Sequence, residues 1–276
     1  MTDQTHHTPV TQAHPLRWES GNASLDAASG VTRAIATEVP IALQYNCISH
    51  AVMMATPQDL HDFALGFSLS EGIIDKRTDL LSTDIQHSEK GVVIDMEITP
   101  ACFERLDNFK RSLLGMSGCG LCGRDRLEHV ITPLPVINSD FTITGDVIHS
   151  VLTRLRDHQP LTRQTGAFHA AAFANAKGDI LAAREDVGRH NALDKLIGHL
   201  AGTDIDPSQG FILMSSRCSF ELVHKTARAG VPLLTTISAP TSLALELAKQ
   251  SRLTLIALAR SDSMLVFTDP AQRFRA

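Results

Sequence analysis

The sequence predicts an α/β protein (α+β overall) with two lobes: a small N-terminal α+β lobe and a C-terminal three-layer α/β/α lobe with a mixed sheet. Two observations carry this prediction. Apolar residues alternate in several segments around one amphipathic helix before residue 115, and strand and helix patterns alternate regularly between residues 211 and 259. The predicted divisions are a disordered tail (1–26), an N-terminal lobe (27–115), a mobile loop (116–126) and a C-terminal lobe (127–276).

The composition is that of a soluble globular protein, with 276 residues, 43% hydrophobic and 20% charged. A net charge of -5 gives no electrostatic case for binding nucleic acid or an anionic membrane. No apolar run is long enough to span a bilayer and the N-terminus has no signal-peptide core, so we expect a cytosolic protein. In that reducing compartment, five cysteines indicate buried thiols or chemistry rather than a disulfide framework.

The N-terminal part begins with a tail rich in Thr, His, Gln and Pro, for which we predict no ordered structure. Thr56 and Pro57 indicate a helix start and Gly72 a helix end. The predicted elements are, in order, strands 38–45 and 48–55, helix 57–71, strand 92–98 and a helix over 103–113 that ends at Gly115.

The C-terminal part begins with a helix that Thr144 can cap, and a β-hairpin with a glycine turn follows it. A charged loop, 185–190, precedes the next helix, and strands and helices then alternate. The predicted elements are a helix over 147–155, hairpin strands 166–173 and 180–184, helix 191–200, strand 211–215, helix 219–229, strand 233–238, helix 241–250 and strand 254–259. This alternation implies parallel strands joined by right-handed crossovers.

The glycine-rich segment 115–123 presents two cysteines, Cys119 and Cys122. A zinc site needs four ligands, so this pair is half a site that His190 or Cys218 would have to complete. A redox pair normally opens a helix directly after a strand, whereas glycines flank both cysteines here. A carrier thiol on a flexible tether fits the glycines best, and two inert buried thiols fit them least. The residues alone leave these four alternatives open.

The remaining cysteines and histidines have structural interpretations. We interpret Cys218, at a strand-to-helix junction, as a packed thiol, and Cys47 and Cys102 as ordinary small hydrophobes. His169 and His190 stand beside glycine turns, where a satisfied structural histidine is at least as plausible as a catalytic one.

Three segments that follow the parallel strands, 215–218, 238–242 and 259–263, are rich in Ser and Thr and include Arg217 and Arg260. Such loops gather at one sheet edge and form the ligand crevice of open α/β sheets. Helix capping explains the Ser and Thr equally well, whereas the arginines favour an anionic group such as phosphate. The sequence has no G-x-G-x-x-G and no P-loop, so a standard dinucleotide or nucleoside-triphosphate site is not expected.

Six segments together resemble the FdhD family of formate dehydrogenase accessory sulfurtransferases, and the resemblance runs from about Thr37 to Phe267. The segments are LHDFALGFSLSEGII (60–74), SGCGLCGR (117–124), TGAFHAAAF (165–173), REDVGRHNALDKLIG (184–198), SSRCSFELVHKTARAGVP (215–232) and SAPTSLALELA (238–248).

This resemblance implies a sulfur carrier that takes sulfur from a cysteine desulfurase as a persulfide on Cys119, with Cys122 as its partner cysteine. It implies that the sulfur passes to a molybdenum (or tungsten) bis-(molybdopterin guanine dinucleotide) cofactor, held as cargo, before that cofactor enters formate dehydrogenase. The implied cofactor-binding residues are Leu258, Ala259, Arg260, Ser261, Asp262 and Ser263.

The resemblance also implies a homodimer and a C-terminal lobe similar to the cytidine deaminase fold. Because the H-x-E and P-C-x-x-C zinc signature is missing, we expect no deaminase chemistry. The rival function is a non-catalytic chaperone that binds the molybdopterin cofactor and whose cysteines are structural or zinc-bound.

Overall fold

The computed structural model describes residues 7–15, 31–115 and 134–275, with side chains given up to Asp107 in the second range. Its strands are β1 (Val10–Ala13), β2 (Arg33–Ala36), β3 (Val39–Tyr45), β4 (Ile48–Ala55), β5 (Leu80–Ser88), β6 (Gly91–Ile98), β7 (Ile143–Thr144), β8 (His169–Asn175), β9 (Ile180–Asp186), β10 (Gly210–Met214), β11 (Leu233–Thr236), β12 (Thr254–Ala257), β13 (Leu265–Thr268) and β14 (Phe274–Arg275). Its α-helices are α1 (Leu60–Ser70), α2 (Pro100–Gly115), α3 (Gly145–Arg154), α4 (Pro160–Thr165), α5 (Arg189–Gly202), α6 (Phe220–Arg228) and α7 (Ser242–Gln250). The mixed α+β class predicted from the sequence is confirmed.

The N-terminal lobe is a four-stranded sheet in the order β4-β3-β6-β5, covered on one face by α1. β3 and β6 run parallel, and the outer strands pair with them antiparallel. Alternate residues of β3 and β6 point into a core that they share with Phe63 and Phe67 of α1. The period-two pattern therefore places one face of each strand against the helix.

The C-terminal lobe is a six-stranded mixed sheet in the order β13-β12-β11-β10-β8-β9. β10, β11 and β12 are parallel, while the β8–β9 hairpin lies antiparallel beside β10. Every residue of the three parallel strands is buried, as expected for strands covered on both faces. Two separate clusters of buried apolar residues line the sheet, one against α5, α6 and α7 and the other against α3.

Two glycines let the lobes meet through a direct crossing of α1 and α5. A Cβ atom built on Gly66 would lie 1.7 Å from the carbonyl oxygen of Asp194, and one built on Gly198 would lie 1.8 Å from that of Asp62. Because no side chain fits between these backbones, each lobe contributes one helix to a joint of fixed spacing.

Several details differ from the sequence-based prediction. Val10–Ala13 lies in the segment predicted as a disordered tail, yet it forms a strand because its backbone pairs antiparallel with Arg33–Ala36. Helix α1 begins at Leu60, after a left-handed Asp59, and not at Pro57. The sequence did not reveal β5, whose inward positions include Thr83 and His87, because polar residues on both faces hide the alternation.

None of the helices in the described ranges combines the length and the apolar character that crossing a bilayer requires.

Candidate functional site

The three loops that follow β10, β11 and β12 meet at one sheet edge, as their positions predicted. The amide of Cys218 donates to the carbonyl of Ala239 (3.1 Å), and the amide of Thr241 donates back to Cys218 (3.0 Å). The amide of Leu258 donates to Ser238 (3.3 Å), which ties the third loop to the second. Backbone hydrogen bonds therefore hold the three loops as one surface, which we call the loop edge.

Within the 258–263 segment, the exposed side chains start at Arg260. Ala259 is buried and its amide donates to Thr236 (3.1 Å), while Leu258 is half-buried in a left-handed conformation (φ 52°). The amide of Arg260 donates to the carbonyl of Ser263 (2.8 Å), which closes a tight turn. Arg260, Ser261, Asp262 and Ser263 are exposed and so available to a ligand, whereas the first two residues anchor the turn.

Two further arginines, Arg189 at the start of α5 and Arg217 before α6, face His169 beside the loop edge. Burial, followed by the charges of these two arginines, lowers the pKa of the His169 imidazole. Arg217 is exposed, and the buried Nε of Arg189 has no hydrogen-bond partner among the described residues. Arg189, Arg217 and Arg260 thus place three cationic side chains at this edge, beside the starts of α5 and α6, an arrangement suited to an anion.

The segment from Gly188 to Asn191, which carries Arg189, is held by hydrogen bonds to the buried carboxylate of Asp186. One oxygen of this buried carboxylate accepts from the amide of Gly188 (2.8 Å) and the side chain of Asn191 (3.0 Å). The other oxygen accepts from the amide of Thr56 (2.9 Å) and pairs with Nζ of Lys195 at 2.7 Å. Asp186 therefore fixes the start of α5 and ties it to the N-terminal lobe.

His190 lies next to Arg189 and contacts Ser219, which caps α6, and Glu221 in the first turn of α6. Its Nε2 lies 2.9 Å from Oε2 of Glu221 and 3.2 Å from the Ser219 hydroxyl, which itself donates to Glu221 (2.9 Å). Burial lowers the pKa of His190, although Glu221 opposes this effect. His190 is thus a satisfied histidine that joins the starts of α5 and α6.

The structure separates the cysteines. Cys119 and Cys122 lie outside the described residues, as does the whole predicted loop 116–126. Cys218 is buried, and burial raises the pKa of its thiol to about 12, which agrees with a packed, unreactive thiol. Cys102 is likewise buried. The interpretation of Cys47 as an ordinary small hydrophobe is wrong, because it lies exposed in the β3–β4 turn at φ 63°, where its amide and thiol donate to Asp95.

One cluster in the described part of the chain brings three metal-ligand groups within 4.8 Å of one another: Asp75, Asp79 and Cys102. These groups already have partners. Asp79 accepts from the amides of Asp75 and Lys76 (3.1 Å each), and the Arg105 guanidinium lies 3.0 Å from the Asp75 carboxylate. The local hydrogen bonds and the arginine account for this cluster without a metal.

After the cysteine segment, the described chain resumes at the sheet edge opposite the loop edge. The amide of Ile137 donates to Ser251 (2.9 Å), just before β12 begins, and the Arg273 side chain donates to the carbonyl of Ile137 (3.0 Å). Ile137 is thus fixed near the start of β12, whereas the loop edge lies where β12 ends. The first fixed point after Cys119 and Cys122 is therefore about one strand length from Arg260.

Sequence reasoning found Arg217 and Arg260 but not Arg189, Asp186 or Lys195. The available signal is the charged run 185–190 before a helix, which the pattern predicts to be a loop. Lys195 gives no signal of its own, because its neighbours one helical turn away, Asn191 and His199, are polar as well.

Comparisons with known proteins show similarity to the FdhD family that the sequence resembles. A family model described as FdhD/NarQ matches residues 36–274. A protein named sulfur carrier protein FdhD from Xanthomonas euvesicatoria pv. vesicatoria is 49% identical over 236 residues, 86% of this chain and 84% of the relative. Its counterpart from Xanthomonas campestris pv. campestris is 48% identical over 270 residues, 98% and 95% of the two chains. The crystal structure of a candidate formate dehydrogenase accessory protein from Desulfotalea psychrophila superimposes with a TM-score of 0.72 and 25% identity, covering 95% and 98%.

Proposed function

The chain belongs to the FdhD/NarQ family, and on that premise we propose that it is a sulfurtransferase that carries sulfur for the maturation of formate dehydrogenase. The observation that carries the proposal is the family match over residues 36–274, which includes the Cys119–Cys122 pair, together with relatives named sulfur carrier proteins.

The thiol step proposed for Cys119 is an exchange at sulfur. The Cys119 thiolate attacks the outer sulfur of a persulfide on a cysteine desulfurase, the donor's S–S bond breaks, and the donor cysteine leaves as a thiolate. The product is a persulfide on Cys119, and no external oxidant or reductant is consumed. Cys122 then either shields this persulfide or attacks its inner sulfur. In the second case the S–S bond of the persulfide breaks, the outer sulfur leaves as hydrosulfide toward the acceptor, and a cellular dithiol must reduce the resulting Cys119–Cys122 disulfide before the next cycle. Arg124 and Arg126, close by in sequence, favour the thiolate form.

The loop edge is the proposed site for the cargo, a molybdenum bis-(molybdopterin guanine dinucleotide) cofactor. Its phosphates are dianionic or monoanionic groups, which suit the exposed Arg260 turn and the positive surface of Arg189 and Arg217. Ser261 and Ser263 offer hydroxyl groups, and Asp262 offers an acceptor for the amino and imino groups of guanine. Leu258 and Ala259 support the turn.

The sulfur on Cys119 must reach the loop edge, although the chain that follows the cysteine pair is fixed at the opposite edge of the sheet. Ile137 lies at the edge opposite Arg260, and Cys119 precedes it by eighteen residues. A parallel strand of four or five residues measures about 13–17 Å, whereas eighteen residues can reach about 60 Å when extended. Chain length therefore allows Cys119 to serve both edges of one sheet, or the loop edge of a second copy if the protein is a homodimer.

Intact mass spectrometry after incubation with a cysteine desulfurase and L-cysteine tests the carrier step. We expect one additional sulfur atom, mapped to Cys119 by peptide analysis. Cys119→Ala should lose the adduct, while Cys47→Ser, which removes an exposed thiol elsewhere, should keep it. If the Cys119→Ala protein still fully restores formate dehydrogenase activity in cells lacking the native protein, the non-catalytic chaperone is the correct function.

Binding of GDP, as a guanine nucleotide without the metal, tests the cargo site by calorimetry. We expect Arg260→Ala to weaken binding about tenfold or more, because a charge-assisted hydrogen bond is worth about 1.5–3 kcal/mol. Arg156→Ala, which removes an exposed arginine on a different surface, is the matched control. Equal affinity in the two variants would place the cargo elsewhere.

A further inference from the structure

A cavity lies on the side of the lobe joint away from the loop edge. It has a volume of about 300 Å³ and is formed by the last turns of α1, α5 and α6 together with residues 75–77. This volume is at the lower end of the roughly 300–1,000 Å³ typical of small-molecule sites. Both lobes contribute walls, so an occupant would contact both at once. We call it the joint cavity.

The joint cavity combines an apolar floor with a positively charged rim. Leu69, Ile197 and Leu200 form the floor, and Lys76, Arg77 and Arg228 contribute cations. Within the described residues, neither Lys76 nor Arg77 has an acidic partner at ion-pair distance. The acidic side chain in the wall, Asp75, is already paired with Arg105 at 3.0 Å and does not neutralise the rim.

Arg228 is held in place, and no carboxylate in the described part of the chain lies at ion-pair distance from it. Its Nε donates to the carbonyl of Leu69 at 3.3 Å, and its terminal nitrogens lie over the turn at Gly72. Gly72 has φ 72°, and a Cβ there would be 2.6 Å from an Arg228 nitrogen, so the turn leaves room for a guanidinium. The guanidinium keeps donors free for a ligand.

The charges decide which ligand class fits. Three helix C-termini point toward the cavity and together carry about -1.5 elementary charges, whereas Lys76, Arg77 and Arg228 carry three full positive charges. The net potential therefore favours an anion. We propose that the joint cavity binds a small organic anion, with a carboxylate, sulfonate or phosphate group at Arg77 and Arg228 and an apolar body on Ile197 and Leu200.

A pair of fluorescent probes tests this proposal on the full-length protein. 8-Anilinonaphthalene-1-sulfonate carries an anionic group on an apolar body, and N-phenyl-1-naphthylamine is the same body without the anion. We expect saturable binding of the sulfonate at one site per chain. Arg77→Gln and Arg228→Gln should each weaken it about tenfold, the loss of one charge-assisted hydrogen bond, and leave the neutral probe unchanged.

Two further variants keep the test decisive. Ala201→Phe fills the joint cavity and should abolish saturable binding of both probes, and Arg156→Gln, on another surface, should change neither. The proposal is overturned if the sulfonate binds no more tightly than the neutral probe, if the arginine variants match Arg156→Gln, or if Ala201→Phe still binds. GDP binding at the loop edge is a separate readout that these variants should leave intact.

Discussion

Two buried lysine–aspartate pairs of the C-terminal lobe contact the N-terminal lobe, one at Thr56 and the other at Ser70 and Glu71, and they differ in how the lysine charge is compensated. Lys195 lies 2.7 Å from Asp186, and both side chains are fully buried. Lys225 lies 2.8 Å from Asp194, in an equally buried position, but it also contacts Glu71 at 2.8 Å, whose side chain is 46% exposed. Lys195 is thus in contact with one carboxylate, whereas Lys225 is in contact with two.

The pKa values follow this difference. Burial is the largest influence on Lys195 and lowers the pKa of its amine, with Asp186 opposing incompletely. Burial also acts most strongly on Lys225, but Asp194 and Glu71 together outweigh it and raise the pKa of that amine. A second carboxylate at the surface therefore secures the charge of Lys225, while Lys195 and Asp186 each rely on the other.

The structural duties of the two pairs differ as well. Asp186 also accepts from Thr56, Gly188 and Asn191, so it shapes the segment that carries Arg189 into the loop edge. Asp194 accepts from Ser70 (2.6 Å) beside the joint cavity, where it links the ends of α1 and α6 to α5. The Lys195–Asp186 pair therefore supports the loop edge, and the Lys225–Asp194 pair holds three helices together.

Asp186→Ala should give the largest loss of stability, about 3–5 kcal/mol in the free energy of unfolding. It leaves the Lys195 charge buried without a carboxylate and removes the acceptor of three further donors. Urea unfolding monitored by circular dichroism measures the effect. The double variant Asp186→Asn/Lys195→Met, which keeps an acceptor and removes the charge, should be clearly more stable than Asp186→Ala. Equal stabilities would mean that the ion pair is irrelevant.

Asp194→Ala should cost less, about 2 kcal/mol, because Glu71 continues to compensate Lys225. Glu71→Gln alone should cost at most about 0.5 kcal/mol, as expected for a half-exposed ion pair. Combining the two should cost more than the sum, because Lys225 then has no carboxylate. Additive costs in the same unfolding assay would contradict the sharing of Lys225 between two carboxylates.

Much of the architecture was predictable from the sequence, because long apolar periods specify it. The parallel strands, the hairpin and the helices of the C-terminal lobe follow from runs such as 211–215 and 254–259. The gathering of Arg217 and Arg260 at one edge followed from the direction of parallel strands. The pairing of Val10–Ala13 could not be predicted from the sequence. A strand of mixed polarity has no clear pattern of its own and is defined by its partner, here Arg33–Ala36.

The buried polar residues were the least predictable part. Lys195 and Asp186 are nine residues apart and Lys225 is far from Glu71, so no local spacing reports either pair. The close crossing at Gly66 and Gly198, beside which both pairs lie, is likewise not visible in sequence patterns. The role of Cys119 stays a prediction, because it lies outside the described residues.

The smallest expected effect is a dependence of stability on pH from the histidines beside the two pairs. Burial lowers the pKa of His169 near Asp186 and of His190 and His224 near Lys225, from an ordinary value of 6.5. The unfolded chain therefore binds more protons below pH 6.5 than the folded one, so stability should be constant above that pH and fall as the pH falls below it.

His169→Gln should reduce this fall, because it removes an imidazole whose pKa is lowered by burial and, to a lesser extent, by the charges of Arg189 and Arg217. Urea midpoints measured between pH 5 and pH 8 provide the test, and His61→Gln, an exposed histidine on α1, is the control. Inorganic pyrophosphate should also flatten the wild-type curve, since an anion at the two arginines offsets their repulsion of a protonated His169. If pyrophosphate flattens the His169→Gln curve as strongly as the wild-type curve, the anion does not act at Arg189 and Arg217. The Lys195–Asp186 pair would then not support an anion-binding surface, and the proposed difference between it and the Lys225–Asp194 pair would be lost.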